Sequence, residues 1–207
     1  MSATTAVPFV LEAQPGTDIW KKPPTTNVWN APITRTATGP LKKFSSARVS
    51  FRASWTELYD QAGVLLVPRR ASSPSSPPDK WVKAGVEFYE DVPQLSTVCC
   101  DRWADWSVAP LSPGGGGSEE EIVTIEAVRE GDENGKSVWV YRVVRDATSG
   151  ATLRRVPMRE ICWILADEDD DEDDWVIDVS PLVARPAKNA SGPLKVEFSE
   201  FEVAWLS

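Results

Sequence analysis

The chain has 207 residues, 42% of them hydrophobic, no histidine and a formal net charge of −9. Its length and apolar content allow a sizeable buried core and exclude general disorder. The missing histidine excludes the Ser-His-Asp triad, the Cys-His dyad and histidine metal ligands together.

Eight consecutive acids at 167–174 carry most of the negative charge. The remaining surface is near neutral, with no basic stripe to neutralise phosphates, so nucleic acid is not an expected partner. No apolar run reaches the ~18 residues of a membrane span. The first sixteen residues lack the basic and apolar regions of a secretory signal. Three cysteines, of which Cys99 and Cys100 are adjacent, do not make a disulfide framework. Neighbours on a strand point to opposite faces, which also disfavours a Cys99–Cys100 bridge. The expectation is a reduced, cytoplasmic protein forming one domain over 1–207.

Taken in order, residues 1–7 read as a loose terminus and 9–13 as a first strand. Residues 18–20 are short and extended. Residues 25–40, rich in Thr, Asn, Pro and Gly, read as a long surface loop anchored by Trp29. Strong alternation over 47–55 sets Val49, Phe51, Ala53 and Trp55 against Arg48, Ser50, Arg52 and Ser54. Gly63, inside a strand-like run at 58–67, signals a bulge or a close backbone approach. Flexible loops are expected at 69–79, 112–121 and 167–174.

Residues 80–107 organise the reading. Val82, Ala84, Val86 and Phe88 fall on one side of a strand; Trp81, Lys83, Gly85, Glu87 and Tyr89 fall on the other. A second strand covers 94–100, followed by Trp103 and Trp106 among charges. Residues 122–130 and 137–145 flank Asn-Gly and Gly-Asp signals and predict a hairpin with a longer loop. Pro157 places the strand within 153–166 at an edge or bulge. Cys162, between Ile161 and Trp163, reads as an inert core residue. The run 167–174 should be an extended, solvated loop, because like charges repel. Strands follow at 175–186 and 193–206, with a one-residue phase shift at Ser199-Glu200 that predicts a β-bulge. No 3.6-residue apolar stripe persists over 11 residues. About a dozen strands joined by turns predict an all-β, antiparallel β-sandwich of jelly-roll proportions.

Several segments together, EAQPGTDIWKKPPTT (12–26), ASWTELYDQAGVLL (53–66), KWVKAGVEFYE (80–90) and STVCCDRWADWS (96–107), resemble the fungal regulation-of-enolase protein family. VTIEAVREG, SVWVYRVVR, WVIDVSPLVARP and VEFSEFEV continue the likeness through the C-terminal half. The departures fall in the Ser/Pro-rich, glycine and acidic loops. The resemblance implies a concanavalin A-like lectin/glucanase fold and a domain of unknown function. It also implies a cytoplasmic setting and a regulatory role touching a glycolytic enzyme. It carries no catalytic residues.

The residues themselves suggest a binding groove on the concave sheet face. Aromatic rings stack on sugar rings while polar groups meet hydroxyls. The candidate ligand-binding row is Trp81, Lys83, Glu87 and Tyr89, with Tyr59, Asp60 and Gln61 at the strand end beside it. Trp103, Asp105 and Trp106 form a rim. The expected function is a non-enzymatic binding or regulatory protein recognising a carbohydrate or small polar ligand. Two alternatives stay open. One is a glycoside hydrolase or lyase, which needs two carboxyl groups across the scissile bond. In the pair Glu87 with Asp91, Asp91 sits in the turn rather than the strand, and Glu197 with Glu200 and Asp101 with Asp105 flank bends. The other is a protein-binding adaptor using the acidic run or a sheet edge. The acidic run lacks the spaced oxygen ligands of a shaped calcium site, and no cofactor or metal is expected.

Overall fold

The computed structural model describes residues 2–6, 8–72, 76–111, 121–146, 148–169 and 174–207. Among them run fifteen strands and one 3₁₀ turn, Leu41–Lys43. The strands are β1 (Ser2–Ala6), β2 (Phe9–Ala13), β3 (Ile19–Lys22), β4 (Thr26–Trp29), β5 (Ala37–Pro40), β6 (Phe44–Ala53), β7 (Gln61–Arg70) and β8 (Trp81–Tyr89). They continue with β9 (Val92–Cys100), β10 (Ala104–Pro110), β11 (Val123–Asp132), β12 (Gly135–Arg145), β13 (Thr152–Ile161), β14 (Trp175–Ala184) and β15 (Leu194–Trp205).

Two antiparallel sheets face each other. One runs β1-β15-β6-β11-β12-β13, with β2 also on β15; the other runs β10-β9-β8-β7-β14-β5. This is the all-β antiparallel sandwich that the strand pattern predicted and the concanavalin A-like fold that the family resemblance implied. Every second residue of the inner strands is apolar, so each sheet presents one apolar face, and the two faces bury each other. Val49 and Phe51 of β6, Ile125 of β11 and Phe198 of β15 meet Val64 of β7, Val82 and Val86 of β8, and Ile177 of β14. Phe51 and Phe198 lie with ring centroids 5.7 Å apart. Burying a side chain of this size stabilises by roughly 1.5–3 kcal/mol.

Local irregularities follow from sequence. The pairing of β15 with β6 slips between Phe198 and Glu200, where the phase shift predicted a bulge. Pro157 lies on the edge strand β13 beside a second register shift, where its missing N–H removes no inner ladder bond. Glu90 and Asp91 both adopt positive φ, and Tyr89 pairs directly with Val92. The β8–β9 connection is therefore a two-residue hairpin turn whose twist suits the flanking strands.

Several expectations are corrected. Residues 2–6 are not loose: β1 pairs with the end of β15. The stretch 25–40 is not one long loop, because β4 pairs with β3 and β5 pairs with β14. The β11–β12 connection is a two-residue turn, with Asp132 opposite Gly135. Cys162 is exposed, since the chain leaves the sheet at Ile161. The acidic run begins anchored rather than solvated. Glu168 is buried between Arg129 and Lys136, and Asp167 accepts from Lys80 Nζ at 3.0 Å. Residues 170–173 of that run lie outside the described residues, as do 73–75 and 112–120 of the other two loops. Among the described residues no helix is long and apolar enough to cross a membrane.

Candidate functional site

The outer face of the six-stranded sheet carries a second, smaller apolar cluster. Leu65, Val67, Trp81, Val98, Cys100, Leu182 and Ala184 project outward and are covered by Ile19 and Ala31. The cover is the β3–β4 hairpin, which lays Trp20 and Trp29 across the sheet. Adjacent residues on β9 thus divide: Cys99 joins the inter-sheet core and Cys100 the outer cluster.

The outward row of β8 has the expected register, but the two ends of the row differ. Trp81 is only 1% exposed, with its ring 6.4 Å from that of Trp29. As a ligand-contacting residue it is corrected: the chain's own hairpin occupies the space above it. Beyond the hairpin the row opens into a cavity of about 350 Å³ lined by Asp18, Trp20, Lys22, Tyr59, Lys83, Glu87 and Trp106.

The floor is polar and fixed. Lys83, 4% exposed, donates from Nζ to Gln61 Oε1 at 2.6 Å and to Asp18 Oδ1 at 3.3 Å. Asp18 Oδ1 also accepts from Ile19 N at 2.7 Å, so backbone and ammonium together orient the carboxylate. Glu87 is 6% exposed and accepts from Ser96 Oγ at 2.8 Å; Ser96 Oγ in turn accepts from Trp106 Nε1 at 3.1 Å. Burial pushes the Glu87 carboxyl above its ordinary value, against the opposing pull of Lys83 and the Ser96 hydroxyl.

Between Lys83 and Glu87 the outward row carries Gly85, paired directly with Gly63 of β7. A Cβ on Gly85 would lie 1.9 Å from Ala62 O, and one on Gly63 would lie 2.0 Å from Ala84 O. The close approach anticipated at Gly63 is therefore real, and it needs glycine on both strands.

One wall is aromatic. Tyr59 stacks on Tyr89 at 5.8 Å, and both rings meet Trp106 edge-on, at 6.1 and 5.1 Å. Tyr59 stands at φ 66°, a conformation rare for a bulky residue, which aims its ring at this wall. The loop is held in place by Asp60, which has 0% exposure. Asp60 accepts from Thr56 N and Glu57 N at 3.2 and 3.0 Å and forms a two-point pair with Arg185 at 2.9 and 2.7 Å. The Arg185 carbonyl accepts from Gly16 N and Thr17 N at 2.8 and 3.1 Å, fixing the loop that leads into Asp18.

Of the predicted residues, Lys83, Glu87, Tyr59 and Trp106 line the cavity, and Tyr89 completes the wall. Asp60 and Gln61 act from behind, on Arg185 and Lys83. Trp103 and Asp105 are not brought in. Asp105 turns to the opposite face of β10 from Trp106 and pairs with Arg159 of the other sheet. Asp18, Trp20, Lys22 and Arg185 were not anticipated. Their signal was faint: Asp18, Trp20 and Lys22 alternate around the buried Ile19, but over only five residues.

Comparison with known proteins agrees with this architecture. An uncharacterised protein of Emericella nidulans is 42% identical over 191 residues, covering 92% of this chain and 83% of that protein. The Saccharomyces cerevisiae protein named Regulation of enolase protein 1 is 27% identical over 161 residues, and the match covers 76% of this chain but only 63% of the yeast protein. Among solved structures, a functionally unknown protein from Saccharomyces cerevisiae superimposes with a TM-score of 0.61 at 21% identity, covering 99% of this chain and 97% of that one. A bifunctional GH43-CE protein of Bacteroides eggerthii gives a TM-score of 0.52 at 14% identity, covering 93% of this chain and 22% of that one. The family model described as a protein of unknown function, DUF1349, matches residues 2–205, and the chain belongs to that family.

Proposed function

We propose that this chain is a carbohydrate-binding regulatory protein whose ligand occupies the cavity above Lys83 and Glu87. One observation carries the reading: rings of Tyr59, Tyr89, Trp106 and Trp20 surround a buried ammonium and two carboxyl groups. Apolar walls over a sparse polar floor suit a molecule with both CH faces and hydroxyls. Lys83 donates, Asp18 accepts, and the Glu87 carboxyl supplies either, according to its protonation. A regulatory role toward enolase accords with the name of the yeast relative.

Titration calorimetry with a panel of monosaccharides tests the proposal. Trp106→Ala removes a wall and the Ser96 hydrogen bond, and should weaken the best ligand about tenfold, the equivalent of one aromatic contact. Equal affinity in the variant, or no sugar bound at millimolar concentration, would overturn the reading.

A second reading has one observation in its favour. Asp18 and Glu87 face the same cavity, and glycoside hydrolysis uses two carboxyl groups. Turnover of chromogenic glycosides, lost in Glu87→Gln, would establish it; absence of turnover across the panel would dismiss it.

A further inference from the structure

Charge is unevenly shared in the cavity. The ionisable groups lining it are Asp18, Lys22, Tyr59, Lys83 and Glu87. Asp18 and Lys83 pair at 3.3 Å and largely cancel. Lys83 Nζ carries three protons and has two acceptors in the structure, Gln61 Oε1 and Asp18 Oδ1, which leaves one N–H to give. Glu87 accepts from Ser96 Oγ at 2.8 Å, and burial raises its pKa above the ordinary value. Lys22, at the end of β3, lines the rim and makes no ion pair among the described residues. Its neighbour Lys21 is engaged, 3.6 Å from Asp79. One cation, Lys22, is thus without an ion-pair partner at the rim, beside a second, Lys83, with a spare donor.

We propose that the preferred ligand is a sugar ring bearing one acidic substituent, with the anion at Lys22 and the ring against Trp106 and Tyr59. The inference rests on the carbohydrate reading above and narrows it. The cavity, near the lower end of the ~300–1,000 Å³ of small-molecule sites, accommodates a ligand of one or two rings. A carboxylate and a phosphate ester share the chemistry that Lys22 would recognise.

The test measures calorimetric affinity for matched sets in the gluco, galacto and manno series. Each set holds the methyl glycoside, the uronate and the 6-phosphate, with sodium acetate and inorganic phosphate as sugar-free controls. One acidic form should bind at least about tenfold more tightly than its neutral partner, as expected for a charge-assisted contact. Whether the uronate or the 6-phosphate is favoured identifies the acid group. Lys22→Met should erase the preference, bringing the acidic form down to the affinity of its neutral partner in the same variant, whereas Lys22→Arg should keep it. Equal binding of neutral and acidic forms overturns the inference and leaves the carbohydrate reading standing. A preference that survives in Lys22→Met, or acetate or phosphate alone binding as well as the acidic sugar, also overturns it. Failure of every sugar to bind removes both.

Discussion

Replacing Arg185 by methionine is the sharpest test of how the cavity is held. The guanidinium donates to Asp60 Oδ1 and Oδ2 at 2.9 and 2.7 Å, to Thr56 Oγ1 at 2.9 Å and to Gly192 O at 2.8 Å. Methionine keeps the apolar stem and removes all of these donors. Asp60 then stays buried with only the Thr56 and Glu57 backbone N–H groups for partners. Stranding one member of a buried pair costs about 3–5 kcal/mol. For a chain of this size each kcal/mol lowers Tm by roughly 2–4 °C, so a fall of roughly 10 °C is expected. Urea unfolding followed by tryptophan fluorescence reads the loss directly. Adding Asp60→Asn to the variant removes the stranded charge and should recover part of the loss, which makes the two substitutions non-additive. Chemical shifts of the Tyr59 and Tyr89 rings should move as the 56–60 loop loosens, while the inter-sheet core is unchanged. A loss below about 1 kcal/mol, or strict additivity with Asp60→Asn, would refute the role given to this pair.

Three further outcomes follow from the same geometry. Gly85→Ala should destabilise by at least ~1–3 kcal/mol, measured by urea unfolding, because its Cβ would collide with the Ala62 carbonyl and the strands must part. Glu87 has a folded pKa raised above the ordinary 4.5, so the native state holds its proton more tightly than the unfolded chain. Its contribution is complete below the ordinary value and is lost as pH rises through the folded one. Stability of Glu87→Gln should therefore fall less steeply over that range, and parallel pH profiles would contradict the assignment. Burial pushes the Cys99 and Cys100 thiols up to about 11, whereas Cys162 is exposed. A thiol reagent at pH 8 should label one thiol per native chain quickly and all three after unfolding.

What the sequence disclosed, and what it hid, divides by the range of the interaction. Val82, Ala84 and Val86 declared their face because a half-buried strand writes its burial at period 2. Ser199-Glu200 and Pro157 were equally plain, since a phase slip and a missing donor are local. The β3–β4 hairpin was not visible, because four-residue strands are too short to show a period and lie among Thr, Asn and Pro. That one omission misplaced Trp81: nothing in 80–90 says that Trp20 and Trp29 will cover it. Asp60 read as a ligand-binding acid at the strand end because its partner lies 125 residues away. Cys162 has apolar neighbours but stands where the strand ends, and burial by neighbourhood fails at such exits. Charge patterning misjudged Glu168 in the same way, since Arg129 and Lys136 come from another hairpin.

The glycine pair beneath Lys83 and Glu87 limits what mutation can change. Where Gly63 and Gly85 meet, the two strands touch backbone to backbone, with no side chain to enlarge, shorten or recharge. If the cavity binds the proposed ligand, a change of preference must then act on the encircling residues, above all Trp20, Lys22 and Tyr59. Two of those come from a hairpin that belongs to neither main sheet. Grafting residues 18–30 from one relative onto another should therefore transfer ligand preference while leaving the sandwich untouched.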